Sequence, residues 1–202
     1  MRIQKHLPRF SEHLHLELTE NGWVPLREPG SLALSFLLSI PFMNINVFIS
    51  IGAMNIFSTI SFEEFGFTPD SFTFTINFGV IILLILIIVL HEILHLLFIP
   101  NFIRSDKTYV GLIWLGGFVV TEEELSKARY ILITIAPFII VSIIAPLILG
   151  AFGLLTTPLK LFVLLNALAS SVDMLSLLFI IKQVPNNSVL RQNGLKTYWI
   201  ER

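Results

Sequence analysis

Apolar residues gather into four long runs separated by polar segments. The first extends from about Ser31 to Phe57 and contains Pro41, Asn44 and Asn46. The second extends from about Ile76 to Pro100, almost unbroken Ile, Leu and Val between Gly79 and Leu90, the third from about Tyr130 to Phe152, and the fourth from about Leu159 to Ile181. A hydrocarbon layer of about 30 Å needs roughly 20 helical residues, and each run is long enough. Open strands are excluded there, because lipid leaves their backbone groups unpaired. A fifth apolar stretch, Tyr109 to Val120, is too short to span and is broken by Gly111, Gly116 and Gly117. Its aromatic, β-branched and glycine content fits a hairpin or re-entrant element. The pattern predicts an all-α membrane protein: a bundle of about four transmembrane helices, with a short re-entrant or hairpin element between helices two and three. Residues 1–30 form an N-terminal segment, 31–181 a transmembrane domain and 182–202 a C-terminal tail.

Composition points the same way. The chain has 202 residues, 54% hydrophobic and 13% charged, against about 25% charged in soluble domains. One soluble core of this length cannot hide that apolar excess, so the bilayer is an expected partner. The net charge of −1 gives no reason to expect nucleic acid. The absence of cysteine excludes disulfides and cysteine-based zinc sites. The first thirty residues are too polar for a cleaved leader, so the first run reads as a retained span. Arg2, Lys5, Arg9 and Arg27 precede span one; Arg104, Lys107, Lys127 and Arg129 lie between spans two and three; Lys182, Arg191, Lys196 and Arg202 follow span four. The loop between spans one and two has only Glu63, Glu64 and Asp70, and the turn before span four only Lys160. This asymmetry predicts a multi-pass protein of the cell membrane with both termini cytoplasmic. The loop from Ser58 to Thr75, rich in phenylalanine (Phe62, Phe65, Phe67, Phe72, Phe74), reads as interfacial.

Ionisable residues deep in apolar spans are functional candidates, since burying charge in hydrocarbon costs at least a few kcal/mol each. Span two has His91, Glu92 and His95, and span four has Asp173. Histidines at i and i+4 project from one helix face, so both imidazoles can reach one tetrahedral Zn²⁺. Glu92, beside the first, is placed to take a proton from water rather than to bind metal. A third protein ligand is then required, and Asp173 is the one carboxylate left in the spans to supply it. Both the motif and Asp173 sit about 10–12 Å from the same ends of their spans at about 1.5 Å per residue. Asn166 and Ser170 share a face with Asp173. Asn166 is a candidate to bind substrate backbone or the reacting carbonyl, and Ser170 to orient the carboxylate. His13 and His15, at i and i+2, do not share a helix face and read as surface residues; His6 has no partner pattern. Pro137 marks a kink whose freed carbonyl neighbouring helices satisfy.

The motif His91-Glu92-Ile93-Leu94-His95, the apolar glycine-containing element after it, and Asn166 and Asp173 in a later span resemble the intramembrane site-2 metalloproteases. The whole chain resembles more closely a small bacterial membrane family of zincin-type peptidases of unassigned function. The features shared are Asn21-Gly22-Trp23, Arg27-Glu28-Pro29, Ser39-Ile40-Pro41, the His-Glu-Ile-Leu-His motif, Ala136-Pro137-Phe138 and the Asn166 to Asp173 segment. The proline and Leu-Asp-Gly usual around the site-2 aspartate are replaced here by Ala-Leu-Ala-Ser-Ser-Val-Asp173-Met174. The resemblance implies zinc held by His91, His95 and Asp173, with Glu92 as base. It also implies hydrolysis of membrane-associated proteins or peptides. The alternative reading is a non-hydrolytic metal-binding membrane protein, a scaffold or transporter. Against transport, the outer half of span two offers no polar path; against a degenerate scaffold, Glu92 is retained.

Overall fold

The computed structural model describes residues 1–67, 78–113 and 116–202, with Phe62 and Val80 described by backbone only. Strand β1 (Arg2–Ile3) is followed by α1 (Glu12–Glu20), β2 (Val24–Pro25) and the long α2 (Leu32–Asn55). Ser31 caps α2, its hydroxyl accepting the Leu34 N–H at 3.2 Å, which meets one of the donors orphaned at a helix start. A 3₁₀ turn (Phe62–Phe65) leads to α3 (Phe78–Leu97), then to the hairpin β3 (Thr108–Ile113) and β4 (Gly116–Thr121), and to β5 (Leu125–Ser126). Helix α4 (Lys127–Pro137) passes through a π-helical segment (Phe138–Ile144) into α5 (Ala145–Ala151). Helices α6 (Thr157–Ala169) and α7 (Ser171–Gln183) meet at Ser170, and the chain ends in the hairpin β6 (Ser188–Asn193) and β7 (Lys196–Glu201).

The helical region buries polar groups among its apolar core and turns many large apolar side chains outward. On α2, Ser39, Asn46 and Ser50 are buried while Phe48 is 72% exposed. Asn46 donates to the Ala167 carbonyl at 3.1 Å, and the Ser171 hydroxyl bonds that of Ser39 at 3.3 Å. Such interhelical polar contacts suit an apolar solvent, in which unpaired polar groups are costly. Among the described residues, three helices are long and apolar enough to cross a membrane: Leu32–Asn55, Lys127–Ala151 and Thr157–Gln183. The second expected span is α3, whose apolar stretch Ile81–Leu97 is shorter than the others; its expected start at Ile76 lies outside the described residues.

The expectation of an all-α protein is corrected by two sheets. One has the order β1-β3-β4 and the other β2-β7-β6-β5. The apolar element after α3 is the antiparallel hairpin β3–β4, with Tyr109 opposite Val120; Trp114 and Leu115, within it, lie outside the described residues. The polar termini form strands because they pair with partners far away in sequence: Arg2 lies beside Tyr109, and Val24 beside Trp199. Asn193-Gly194 makes the β6–β7 turn, with Gly194 at φ +60°, a left-handed value that glycine adopts without steric penalty. Together the sheets gather the N-terminal segment, the α3–α4 connection and the C-terminal hairpin at one end of the helices. Their buried residues include Leu18, Trp23, Leu26, Leu190 and Tyr198.

At the opposite end, buried Lys160 donates to Glu64 at 2.8 and 3.0 Å and to the Thr59 carbonyl at 2.7 Å. Phe65 and Phe67 are described in this loop, whereas Phe72 and Phe74 of the expected interfacial segment lie outside the described residues. The Lys160 ammonium holds the Glu64 carboxyl below its ordinary range. A depressed folded-state pKa contributes stability that is present above the unfolded value and lost as pH falls through the folded one. Thermal melts in detergent at pH 7 and below pH 4.5 are expected to show a loss that shrinks in Lys160→Met.

Candidate metal centre

Four helices converge on one partly buried point. The α3 face that carries His91 and His95 packs against α4, α6 and β4, and Asp173 reaches it from the first turn of α7. The orientation of each imidazole follows from what its outer nitrogen meets. Asn166, buried on α6, donates its amide to the Pro137 carbonyl at 3.0 Å and the Ser142 hydroxyl at 2.9 Å. Its Oδ1 is therefore the end facing His91 Nδ1, at 3.1 Å, and an acceptor there requires a proton on that nitrogen. The Ile133 carbonyl, 2.8 Å from His95 Nδ1, imposes the same tautomer on the second ring. That carbonyl is free because Pro137, four residues on, has no N–H to give it. The kink expected at Pro137 thus has a specific outcome: the orphaned acceptor holds a histidine.

With Nδ1 donating outward, each Nε2 is the nitrogen turned inward. The two nitrogens are 3.2 Å apart, and Asp173 Oδ2 lies 3.1 Å from the Nε2 of His91 and 3.6 Å from that of His95. Two ring nitrogens and a carboxylate oxygen turned to one point are a donor set that a cation can bridge. A tetrahedral ion with bonds near 2.0–2.2 Å sets its ligand atoms about 3.3–3.6 Å apart, and the three observed edges, 3.1 to 3.6 Å, span that spacing. The donor set fits zinc in chemistry and in size, and His91, His95 and Asp173 are the residues able to hold it.

Glu92 is half-buried and stands beside this group, pressed against the β3–β4 hairpin. A Cβ built on Gly117 would lie 2.2 Å from Glu92 Cγ and 2.9 Å from its Oε1, so glycine at that point of β4 is what admits the carboxylate. Ser170 is placed differently from the sequence expectation. Its hydroxyl donates to the Asn166 carbonyl at 2.9 Å, the i−4 back-bond usual for serine in a helix, rather than to Asp173. Asn166 backs His91 instead of facing the open side. Asn166→Ala is expected to weaken zinc binding about 10–100-fold with the fold retained, as read by chelator competition and circular dichroism.

A cavity of about 140 Å³ opens from His95 and Asp173 towards Val119, Tyr130 and Gln192. Sequence reasoning missed Gln192, which reaches the cavity only because β6 folds back, and the turn signal Asn193-Gly194 flanked by Val189 and Tyr198 was there to indicate that return. Gln192 Oε1 accepts the Thr121 N–H at 2.9 Å, while the Glu122 N–H on the opposite edge donates to Lys107. By the two-residue alternation of a strand, the backbone groups of Gly117 and Val119 also point away from β3.

A sequence model of the family described as "Putative zincin peptidase" matches residues 84–189, just over half of the chain. That stretch contains His91, Glu92, His95, Asn166 and Asp173. No curated protein and no solved structure matches the chain.

Proposed function

The chain belongs to this zincin peptidase family, and on that premise we propose that it is a zinc-dependent, membrane-embedded endopeptidase acting on membrane-associated proteins or peptides. The observation that carries the reading is the convergence of two Nε2 nitrogens and one carboxylate oxygen, with Glu92 alongside. Zinc, when bound, supplies a Lewis acid that acidifies water and polarises a carbonyl. His91, His95 and Asp173 hold it, and Asn166 and the Ile133 carbonyl fix the two rings. Glu92 takes a proton from the attacking water as its oxygen bonds to the scissile carbonyl carbon. The same carboxyl returns that proton to the leaving nitrogen as the C–N bond breaks.

The outward-facing backbone of Gly117 and Val119 offers an extended peptide an edge to pair with, beside the metal ligands. Gln192 occupies the next donor, at Thr121, and so limits how far such a strand can continue. A multi-pass arrangement with both termini cytoplasmic is supported by the three long apolar helices and by the sheets that gather the basic N-terminal, α3–α4 and C-terminal segments at one end.

The test is metal removal. Purified protein in detergent is expected to carry stoichiometric zinc and to cleave transmembrane peptides, with chelation abolishing cleavage and zinc restoring it. Asp173→Ala and His91→Ala are expected to lose both zinc and turnover. Wild-type protein without bound metal, or cleavage indifferent to chelation, would overturn the reading.

A further inference from the structure

The segment between β1 and α1 forms a strap fixed at both ends. At one end the Gln4 N–H donates to the Val110 carbonyl at 2.9 Å. At the other, Asn193 brackets Ser11, accepting its N–H at 2.9 Å and donating to its carbonyl at 2.8 Å. The Gly194 turn lies so close beneath that a Cβ there would sit 2.9 Å from the Phe10 nitrogen and 3.1 Å from the Pro8 carbonyl. Under the strap is a cavity of about 450 Å³, lined by Gln4–Arg9, Tyr109 and Glu122. It lies on the face of the β1-β3-β4 sheet opposite the one that meets Glu92, because Tyr109 and Gly117 have opposite parity in the register.

The charges around this cavity are exposed or half-buried and have no partner within the described chain. Among the described residues, Lys5, His6 and Arg9 enter no ion pair or hydrogen bond through their side chains, and neither does Glu122, whereas nearby Glu124 is paired with Arg202 at 2.8 Å. The Tyr109 hydroxyl has no hydrogen-bond partner among the described residues either, and Arg2 and Asp106 add one charge of each sign to its surroundings. Two permanent cations with a histidine and a phenol make a receptor for a phosphoryl group: arginine offers a planar fork of donors and lysine a point charge. Glu122 changes the selectivity. It repels a bare anion but accepts from a hydroxyl or ammonium two or three bonds away from the phosphate. The volume lies within the roughly 300–1,000 Å³ of small-molecule sites.

We propose that this pocket binds a phosphoester that carries a neighbouring hydroxyl or amine, either as a lipid headgroup or as a free small molecule such as glycerol phosphate. The test uses the full chain purified in detergent. Native mass spectrometry compares retention of phosphatidylglycerol with that of phosphatidylcholine, which lacks a donor. Calorimetric titration compares glycerol 3-phosphate with inorganic phosphate. Preference for the donor-bearing ligand in the lipid arm assigns the site to the membrane, and preference in the soluble arm assigns it to a free ligand. Lys5→Gln with Arg9→Gln is expected to weaken binding about tenfold or more per lost charge-assisted bond. Its melting temperature should be unchanged, since the strap is held by backbone groups, Asn193 and Gly194. Glu122→Gln is expected to raise affinity for inorganic phosphate and so to shrink the preference for glycerol phosphate, with both ligands still bound. Equal binding by wild type and the double variant, or no binding in either arm, would overturn the proposal.

Discussion

Glu92→Gln is expected to lower turnover by roughly two to four orders of magnitude, the usual contribution of a positioned general base, while zinc stays at wild-type content. Glutamine keeps the shape and the packing against Gly117 but takes no proton from water. The side chain is not among the three whose ligating atoms converge, so the ion's binding does not depend on it. Zinc analysis and a cleavage assay on the same preparation separate the two effects. Loss of zinc in Glu92→Gln would place the carboxylate in the ligand set, and unchanged turnover would remove it from the mechanism.

The second large effect is expected from a single methyl group. Gly117→Ala would place a Cβ within 2.2 Å of Glu92 Cγ, a separation that real atoms do not adopt. The glutamate side chain, being longer and freer than the paired strand, must move. A displacement of about 1 Å at a reacting group can cost on the order of 10²-fold in rate. The expected result is a loss of that size in kcat with zinc content and melting temperature close to wild type. Gly111→Ala is the contrasting control. Its Cβ would meet the Gln4 carbonyl at 2.0 Å, a backbone atom, so that variant should lower stability by separating β1 from β3. If Gly117→Ala left turnover unchanged, the hairpin would not be what positions the base.

The metal group was legible in sequence because hydrocarbon filters side chains. Asking which ionisable residues lie inside apolar runs returned His91, Glu92, His95 and Asp173, and the structure brings both histidines and the aspartate to one point. The hairpin was legible from its β-branched, aromatic and glycine content. The sheets were not. Strands of two residues, such as Arg2–Ile3 and Val24–Pro25, carry no periodicity, and their partners lie more than a hundred residues away. The partners of Asn166 and Ser170 were not legible for a related reason. Helical spacing shows which residues share a face with Asp173, but not that the Pro137 carbonyl and the Ser142 hydroxyl stand ready to take the Asn166 amide. The third apolar run holds His95 directly, through the Ile133 carbonyl, and His91 at one remove, through the groups that orient Asn166; a backbone carbonyl has no signature in sequence unless a proline exposes it.

That proline sets a trade-off. An alanine at position 137 would return an N–H to the Ile133 carbonyl, mend the helix, and by every local criterion make α4 more regular. It would also compete with His95 for the acceptor that holds its ring at 2.8 Å. A change that strengthens the scaffold would thereby loosen one of the metal's ligands. Screens that rank variants of this protein by thermal stability alone would select at position 137 for a better helix and a poorer centre.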